Sequence, residues 1–280
     1  MTYSRGLPAI FLFALAAPSQ TPEPARAAVL AAVEREAPAW TAISRKIWEN
    51  PELAFQETAS AALIRDALRA QGFSIRENLA GMPTAFIAEW GRGAPVIAIL
   101  GEYDALPGLS QVDSPERKPR VEGGPGHGCG HNLFGAASAL AAVAVKQHLE
   151  SSKLPGAIRY YGTPAEEGGA GKVYLIRAGL FQDVSVVLAW HPWDANQADA
   201  NSWLANISAK VRYSGRAAHA AASPETGRSA LDGAEIFTHA VNLLREHVPE
   251  QTRMHYIFTK AGSAANIVPD TAEVSIIARH

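Results

Sequence analysis

The segment Gly126-His127-Gly128-Cys129-Gly130-His131-Asn132 sets a thiol and an imidazole two residues apart, between glycines that let the backbone turn both toward one ion. Alone, the pair is ordinary: a free cysteine is more often a small buried hydrophobe, and a loop histidine often caps a helix. Its company changes the reading. Glu166-Glu167 follows one apolar run and His191 follows another. Adjacent carboxylates repel, so at the mouth of a sheet they call for a cation or a shared proton, whereas a solvated acidic turn needs neither. Cys129, His131, Glu167 and His191 together offer soft, borderline and hard donors. That set suits zinc, manganese, cobalt or nickel and is foreign to Ca²⁺ or Mg²⁺. Such ions acidify water and polarise a carbonyl.

These residues need a frame that brings them together. Val29, Val33, Trp40, Ile43 and Ile47 recur at helical spacing from Ala28 until Pro51, and a second helix spans Thr58 to Ala70 before Gly72. Ala85 to Trp90 and Pro95 to Leu100 read as strands, the second apolar throughout, as in strands buried on both faces. A helix from about Leu133 to Leu149, a strand Ala157 to Tyr161, a helix Gly171 to Ala178 and a strand Val184 to Ala189 follow. This alternation predicts an α/β fold with a largely parallel sheet. Leu100, Tyr161 and Ala189 each run into a loop carrying the polar residues above, and in such sheets ligands lie beyond the carboxyl ends of the strands. From Asn201 the pattern changes. Ile207, Ala209, Val211 and Tyr213 alternate as in a strand with one buried face, a helix can start at Ser229 and reach about Val248, and strands are expected at Tyr256 to Phe258 and Val274 to Ile277.

The chain has 280 residues with Lys+Arg 25 against Asp+Glu 27, a formal net charge of -2. That balance argues against nucleic acid or an acidic membrane surface as a partner, both of which need clustered basic surplus. With Cys 1 no internal disulfide can form. No Gly-x-Gly-x-x-Gly follows the first strand and no Gly-x-Ser-x-Gly occurs, which removes nucleotide-binding and serine-hydrolase readings. Arg5 precedes the apolar run Leu7 to Ala17, and Ala14-Leu15-Ala16 has the small-x-small form of a cleavage site. Residues 1–17 are read as a signal peptide and 18–27 as a Pro-rich linker, giving an exported, periplasmic or secreted protein with no membrane association after cleavage.

Six segments in order, GEYDALPGLSQ, GHGCGHNLFGAASALAA, YYGTPAEEGG, AWHPW, GRAAHAAASPETGRSALD and AANIVPDTAEV, resemble the motifs of the aminoacylase and carboxypeptidase-type family of two-metal amidohydrolases. The nearest branch holds p-aminobenzoyl-glutamate hydrolase and the indole-acetyl-amino-acid hydrolases. The resemblance implies two divalent ions, zinc or manganese first and cobalt or nickel next, with Cys129, His131, Glu167 and His191 as ligands. It implies Glu166 as general base, Asp104 as the orienting carboxylate, His219 as a residue that serves the partner subunit's oxyanion, and Asn266 as a substrate contact. Glu102 stands where more distant relatives have a metal-binding His and is not counted as a ligand. His127 is given only a hydrogen-bonding role in its loop. The implied architecture is an α/β catalytic domain over 28–200, interrupted by an α+β lid and dimerisation domain from 201 to 280, with the sequence stopping inside the lid and leaving both incomplete. The implied activity is hydrolysis of an N-acyl or N-aroyl amino acid or dipeptide by a homodimer. The other reading is a non-catalytic, truncated relative that binds metal or ligand only.

Overall fold

The computed structural model describes residues 23–198 and 202–280, so the run read as a signal peptide lies outside the described residues. The chain divides into two units, one up to Asn196 and one from Gln197.

The first unit contains α1 (Glu23–Glu49), α2 (Thr58–Ala70), β1 (Ser74–Leu79), β2 (Met82–Arg92), β3 (Val96–Gly101), α3 (His131–Ser152), β4 (Gly156–Gly162), α4 (Glu166–Gly169), α5 (Gly171–Arg177) and β5 (Val186–Leu188). Its sheet has the order β1-β2-β4-β3-β5. β3 pairs in parallel with β4 and β5, and β2 is antiparallel to both β1 and β4. Four of the five strands therefore point the same way and only β2 is reversed, as the largely parallel reading expected. α1 begins at Glu23, inside the stretch read as linker, and β1 was not foreseen because SIRENL carries no apolar alternation.

Packing follows from where the apolar side chains fall. α2 buries Ala61, Ile64 and Leu68, spaced three and four apart along one face. α3 is different. It buries Phe134, Ala136, Ala139, Leu140, Ala142, Val143 and Ala144 around much of its circumference, because it lies between α1 on one side and strands β3 and β4 on the other. Small residues allow that approach. A side chain at Gly135 would place its Cβ 2.5 Å from the Glu102 backbone oxygen and 2.9 Å from Ile64 Cδ1. β4 runs through the middle and is buried at every residue. Its Tyr160 hydroxyl donates to Gly135 O at 3.3 Å, and Tyr161 donates to Leu180 O at 2.6 Å from the other face. The buried Arg159 of the same strand is satisfied by Glu89 and by both Asp183 oxygens at 2.7 Å.

The second unit is a three-stranded antiparallel sheet, β6 (Asn206–Ser214), β7 (Arg253–Lys260) and β8 (Thr271–Arg279) in the order β6-β8-β7, with α6 (Ala230–Leu244) against it. Ser229 caps α6 by accepting from Asp232 N at 3.2 Å, as expected for a helix starting there. A 3₁₀ turn over Arg245–His247 carries the chain toward Val248. Ala230, Ala234, Ala272 and Val274 form its core. The face of β6 read as buried is only partly so: Val211 and Tyr213 are half-covered, whereas Ile207 is 75% exposed.

Gly135 yields a test in which two effects oppose. Helix propensity alone predicts that Gly135→Ala stabilises by about 1 kcal/mol. The blocking atom is a backbone oxygen that cannot swing away, so overpacking dominates and the variant loses about 1–3 kcal/mol in urea unfolding. A gain in stability would show that α3 can withdraw from β3.

Candidate metal centre

Parallel strands put the ends of β3, β4 and β5 and the start of α3 on one edge of the sheet. His131 is the first residue of α3 and is fully buried. Gly130 before it adopts φ 74°, the left-handed region that favours glycine, and a Cβ there would lie 2.9 Å from Pro192 Cγ. The same glycine thus turns the chain and admits the loop after β5 that carries His191.

Hydrogen bonds fix both imidazoles. His131 Nδ1 donates to Asp104 O at 3.1 Å and Asp104 Oδ1 at 3.0 Å, and His191 Nδ1 donates to Pro192 O at 2.9 Å. Carbonyl oxygens only accept, so each Nδ1 carries its ring proton and each neutral ring presents a lone pair at Nε2. Those two Nε2 atoms are 3.4 Å apart. His131 Nε2 also lies 2.9 Å from Glu102 Oε2 and 4.0 Å from Glu166 Oε2. Its polar neighbours are all electron-pair donors, an arrangement that requires a proton or a cation in their midst.

Two donor groups meet there. Ligand atoms of Cys129, His131 and His191 lie within 4.8 Å of one another, and so do those of Glu102, His131 and Glu166. Asp104 ties them together: Oδ1 receives His131, and Oδ2 accepts from Glu167 N at 2.9 Å. Glu167 Oε1 is buried without a hydrogen-bond partner among the described residues, and buried Glu102 Oε2 has His131 Nε2 as its polar neighbour. Lys172, the second residue of α5, donates to the other Glu102 oxygen, Oε1.

Without a cation the electrostatics are strained. Burial disfavours charge on His131, but Asp104 and Glu102 outweigh it and push its pKa up to about 10. Burial raises the Cys129 thiol to about 12, helped by Glu167, Glu166 and Asp104. Glu166 is raised by burial and then by Glu102 and Glu167. Burial also acts to raise Glu102, yet His131 and Lys172 bring it below its ordinary value. A thiol that cannot ionise unaided, an orphaned Glu167 oxygen and facing imidazole lone pairs are the features of a cation site. The thiolate, imidazole and carboxylate set fits transition-metal divalent ions.

Cys129, His131, His191 and Glu166 are thus brought together, with Glu167 beside Cys129 and Asp104 behind them. Glu102 and Lys172 belong to the same cluster and were not read as site residues. The only sequence signal for Lys172 was that Glu166-Glu167 needed positive charge nearby. His127 is part-buried in its loop, and burial lowers its pKa to about 4 against the opposing effect of the Ile47 backbone. In the second unit, His219 and Asn266 sit on adjoining loops joined by a His219–Ile267 bridge and by Ala220 N donating to Asn266 O at 3.0 Å. His219 Nδ1 accepts from Ala221 N at 3.2 Å and Ala222 N at 3.1 Å, so its ring proton is on Nε2.

The model of peptidase family M20/M25/M40 matches residues 98–274, a span that contains this cluster and the His219–Asn266 loops. The chain belongs to the M20/M25/M40 peptidase family. This M20 chain is 46% identical over 250 residues to a subunit of the p-aminobenzoyl-glutamate hydrolase of Escherichia coli, covering 89% of the chain and 52% of that protein. It is 36% identical over 246 residues to the Xaa-Arg dipeptidase of Mus musculus, covering 83% and 53%. It therefore spans about half the length of the curated relatives it matches. A dinuclear metal-binding M20 peptidase from Bacillus subtilis shares the fold at a TM-score of 0.58 and 24% identity, over 89% of this chain and 64% of that one. Among the described residues no helix is long and apolar enough to cross a membrane.

His131 gives this M20 chain a pH signature when metal-free. Its folded pKa lies above the ordinary 6.5, so its contribution to stability is fully present below about pH 6.5 and is lost as pH rises through about 10. Asp104→Asn removes the charge that sustains the shift. Urea unfolding of the metal-free variant should show a loss of about 1–3 kcal/mol at pH 6 and a smaller decline between pH 7 and 10 than the parent. Parallel pH curves for the two proteins would show that Asp104 does not hold the proton on His131.

Proposed function

We propose that this chain is the metal-binding part of an amidohydrolase that cleaves an N-acyl or N-aroyl amino acid or a dipeptide, using two divalent cations. The observation that carries the reading is the ring of electron-pair donors around His131 Nε2. The relatives' names, p-aminobenzoyl-glutamate hydrolase, Xaa-Arg dipeptidase and hippurate hydrolase, support amide hydrolysis as the reaction class. Cys129, His131, Glu167 and His191 would hold the cations, with zinc or manganese first in order and cobalt or nickel able to replace them. Bound there, the ions supply Lewis acidity toward the scissile carbonyl and acidify water.

The chain's own residues do the rest. Asp104 keeps the His131 proton on Nδ1, leaving Nε2 free as a donor, and holds the Glu166-Glu167 turn through Glu167 N. The Glu166 side chain is 46% exposed, open to solvent and substrate as a base must be. Burial and its acidic neighbours raise its pKa toward the working range of a proton shuttle. It takes the proton from the attacking water and returns it to the leaving nitrogen. Asn266 contacts substrate and His219 offers Nε2–H to the oxyanion, its tautomer set by the Ala221 and Ala222 amides. A homodimer formed through the second unit, with His219 serving the partner's site, and export directed by Leu7 to Ala17 complete the reading.

Glu166 and Glu167 separate the two roles. Glu166→Gln should lower turnover of N-acyl and N-aroyl amino acids by at least ~10²-fold with metal content unchanged, while Glu167→Gln should lose metal. Equal metal loss in both would show that the roles are misassigned. No hydrolysis of any member of the panel by the unsubstituted protein, with metal bound, would favour a binding protein. Export is tested separately: N-terminal sequencing of the mature protein should find a start near Ala16 or Ala17, and an intact Met1 would count against it.

A further inference from the structure

Glu102 and Lys172 have no role in that mechanism, yet they close one side of the cluster. They come from different elements, the loop leaving β3 and the start of α5. Glu102 is almost wholly buried, with a side chain 6% exposed, and Lys172 is only 28% exposed. Lys172 Nζ engages Oε1 alone. The second oxygen, Oε2, is buried and faces the Nε2 of His131 at 2.9 Å, a separation that holds only with a proton or a cation between the two atoms.

A buried carboxylate with one oxygen anchored by an ammonium and the other facing an imidazole nitrogen is placed to act as a monodentate ligand, because a cation can take the position that a second proton on His131 would otherwise fill. Lys172 answers one end. Its anchorage is itself built in: Leu175, one turn further along α5, is fully buried against Met82 and Ala85 of β2. The ammonium therefore reaches Glu102 from a packed helix rather than from a mobile surface stem.

We propose that Glu102 Oε2 is a further cation ligand beside His131, and that Lys172 is the positioning residue that keeps Glu102 monodentate and facing the cation. This rests on the reading that the cluster holds divalent metal. Lys172 also supplies a fixed positive charge that tempers the repulsion among Glu102, Glu166 and Glu167, so that the cage stays assembled between binding events. Lysine, unlike a second cation, cannot leave.

The test is titration calorimetry of the metal-free full chain with Mn²⁺ and with Zn²⁺, together with the visible spectrum of the Co²⁺-loaded protein. Lys172→Met should weaken the tightest site ~10–100-fold and shift the Co²⁺ bands, since an outer partner that orients a ligand has that scale of effect. Lys172→Arg, which keeps the charge and a donor, should restore most of the affinity and the parent spectrum. Glu102→Gln should reproduce the Lys172→Met loss, and the double variant should lose no more than either single one. Parent-like affinity and spectrum in Lys172→Met, or additive losses in the double variant, would overturn the role of the pair while leaving the cation site standing. No heat of binding with either metal in the unsubstituted chain would instead overturn the cation reading, and this inference with it. A thermal unfolding midpoint unchanged in Lys172→Arg and Glu102→Gln separates loss of ligand positioning from loss of fold.

Discussion

The structure turns on one atom that needs a positive partner. His131 Nε2 faces another imidazole nitrogen at 3.4 Å and a carboxylate oxygen at 2.9 Å, and its own ring proton is committed to Asp104 on the far side. Asp104 is fully buried and cannot relax toward water. The imidazole must therefore either hold a second proton, which its raised pKa of about 10 records, or give up that place to a cation. Proton and metal compete for the same position. Every other feature of the edge supports that competition: the Gly130 turn, the loop that brings His191, and the Asp104 bond to the Glu167 amide.

The fold makes this arrangement possible. Because β3, β4 and β5 run in parallel, three loops open on the same edge, and α3 adds His131 at its first turn. α3 is clamped between α1 and the sheet, with glycine and alanine at the closest approaches, so its start is held by packing on both sides. A side chain at the start of such a helix has little freedom to move. Tyr160 and Tyr161 brace opposite faces of the central strand by donating to backbone oxygens of α3 and of the segment after α5.

How much of this was legible follows from the range of each interaction. α2 could be read to its ends because its apolar spacing is local, and the Ser229 cap of α6 likewise. β1 was invisible because an edge strand with mostly exposed side chains needs no apolar pattern. β5 proved shorter than its apolar run, since only Val186–Leu188 pair with β3. In the site, residue types named Cys129, His131, Glu166, Glu167 and His191. The pairing of Glu102 with Lys172 joins positions 70 apart, and no local spacing encodes it.

Charge accounting explains why such a cluster is tolerable at all. Glu102, Asp104, Glu166 and Glu167, together with a Cys129 thiolate, would bring five negative charges to one edge of a sheet. Lys172 is the cation paired directly with one of them, which leaves four. One divalent ion would leave the thiolate facing the burial that chiefly raises the thiol to about 12, with Glu167, Glu166 and Asp104 adding to it. The proposed pair of divalent ions matches the charge that remains once Lys172 is paired with Glu102, so the lysine and the proposed cations would be parts of one balance.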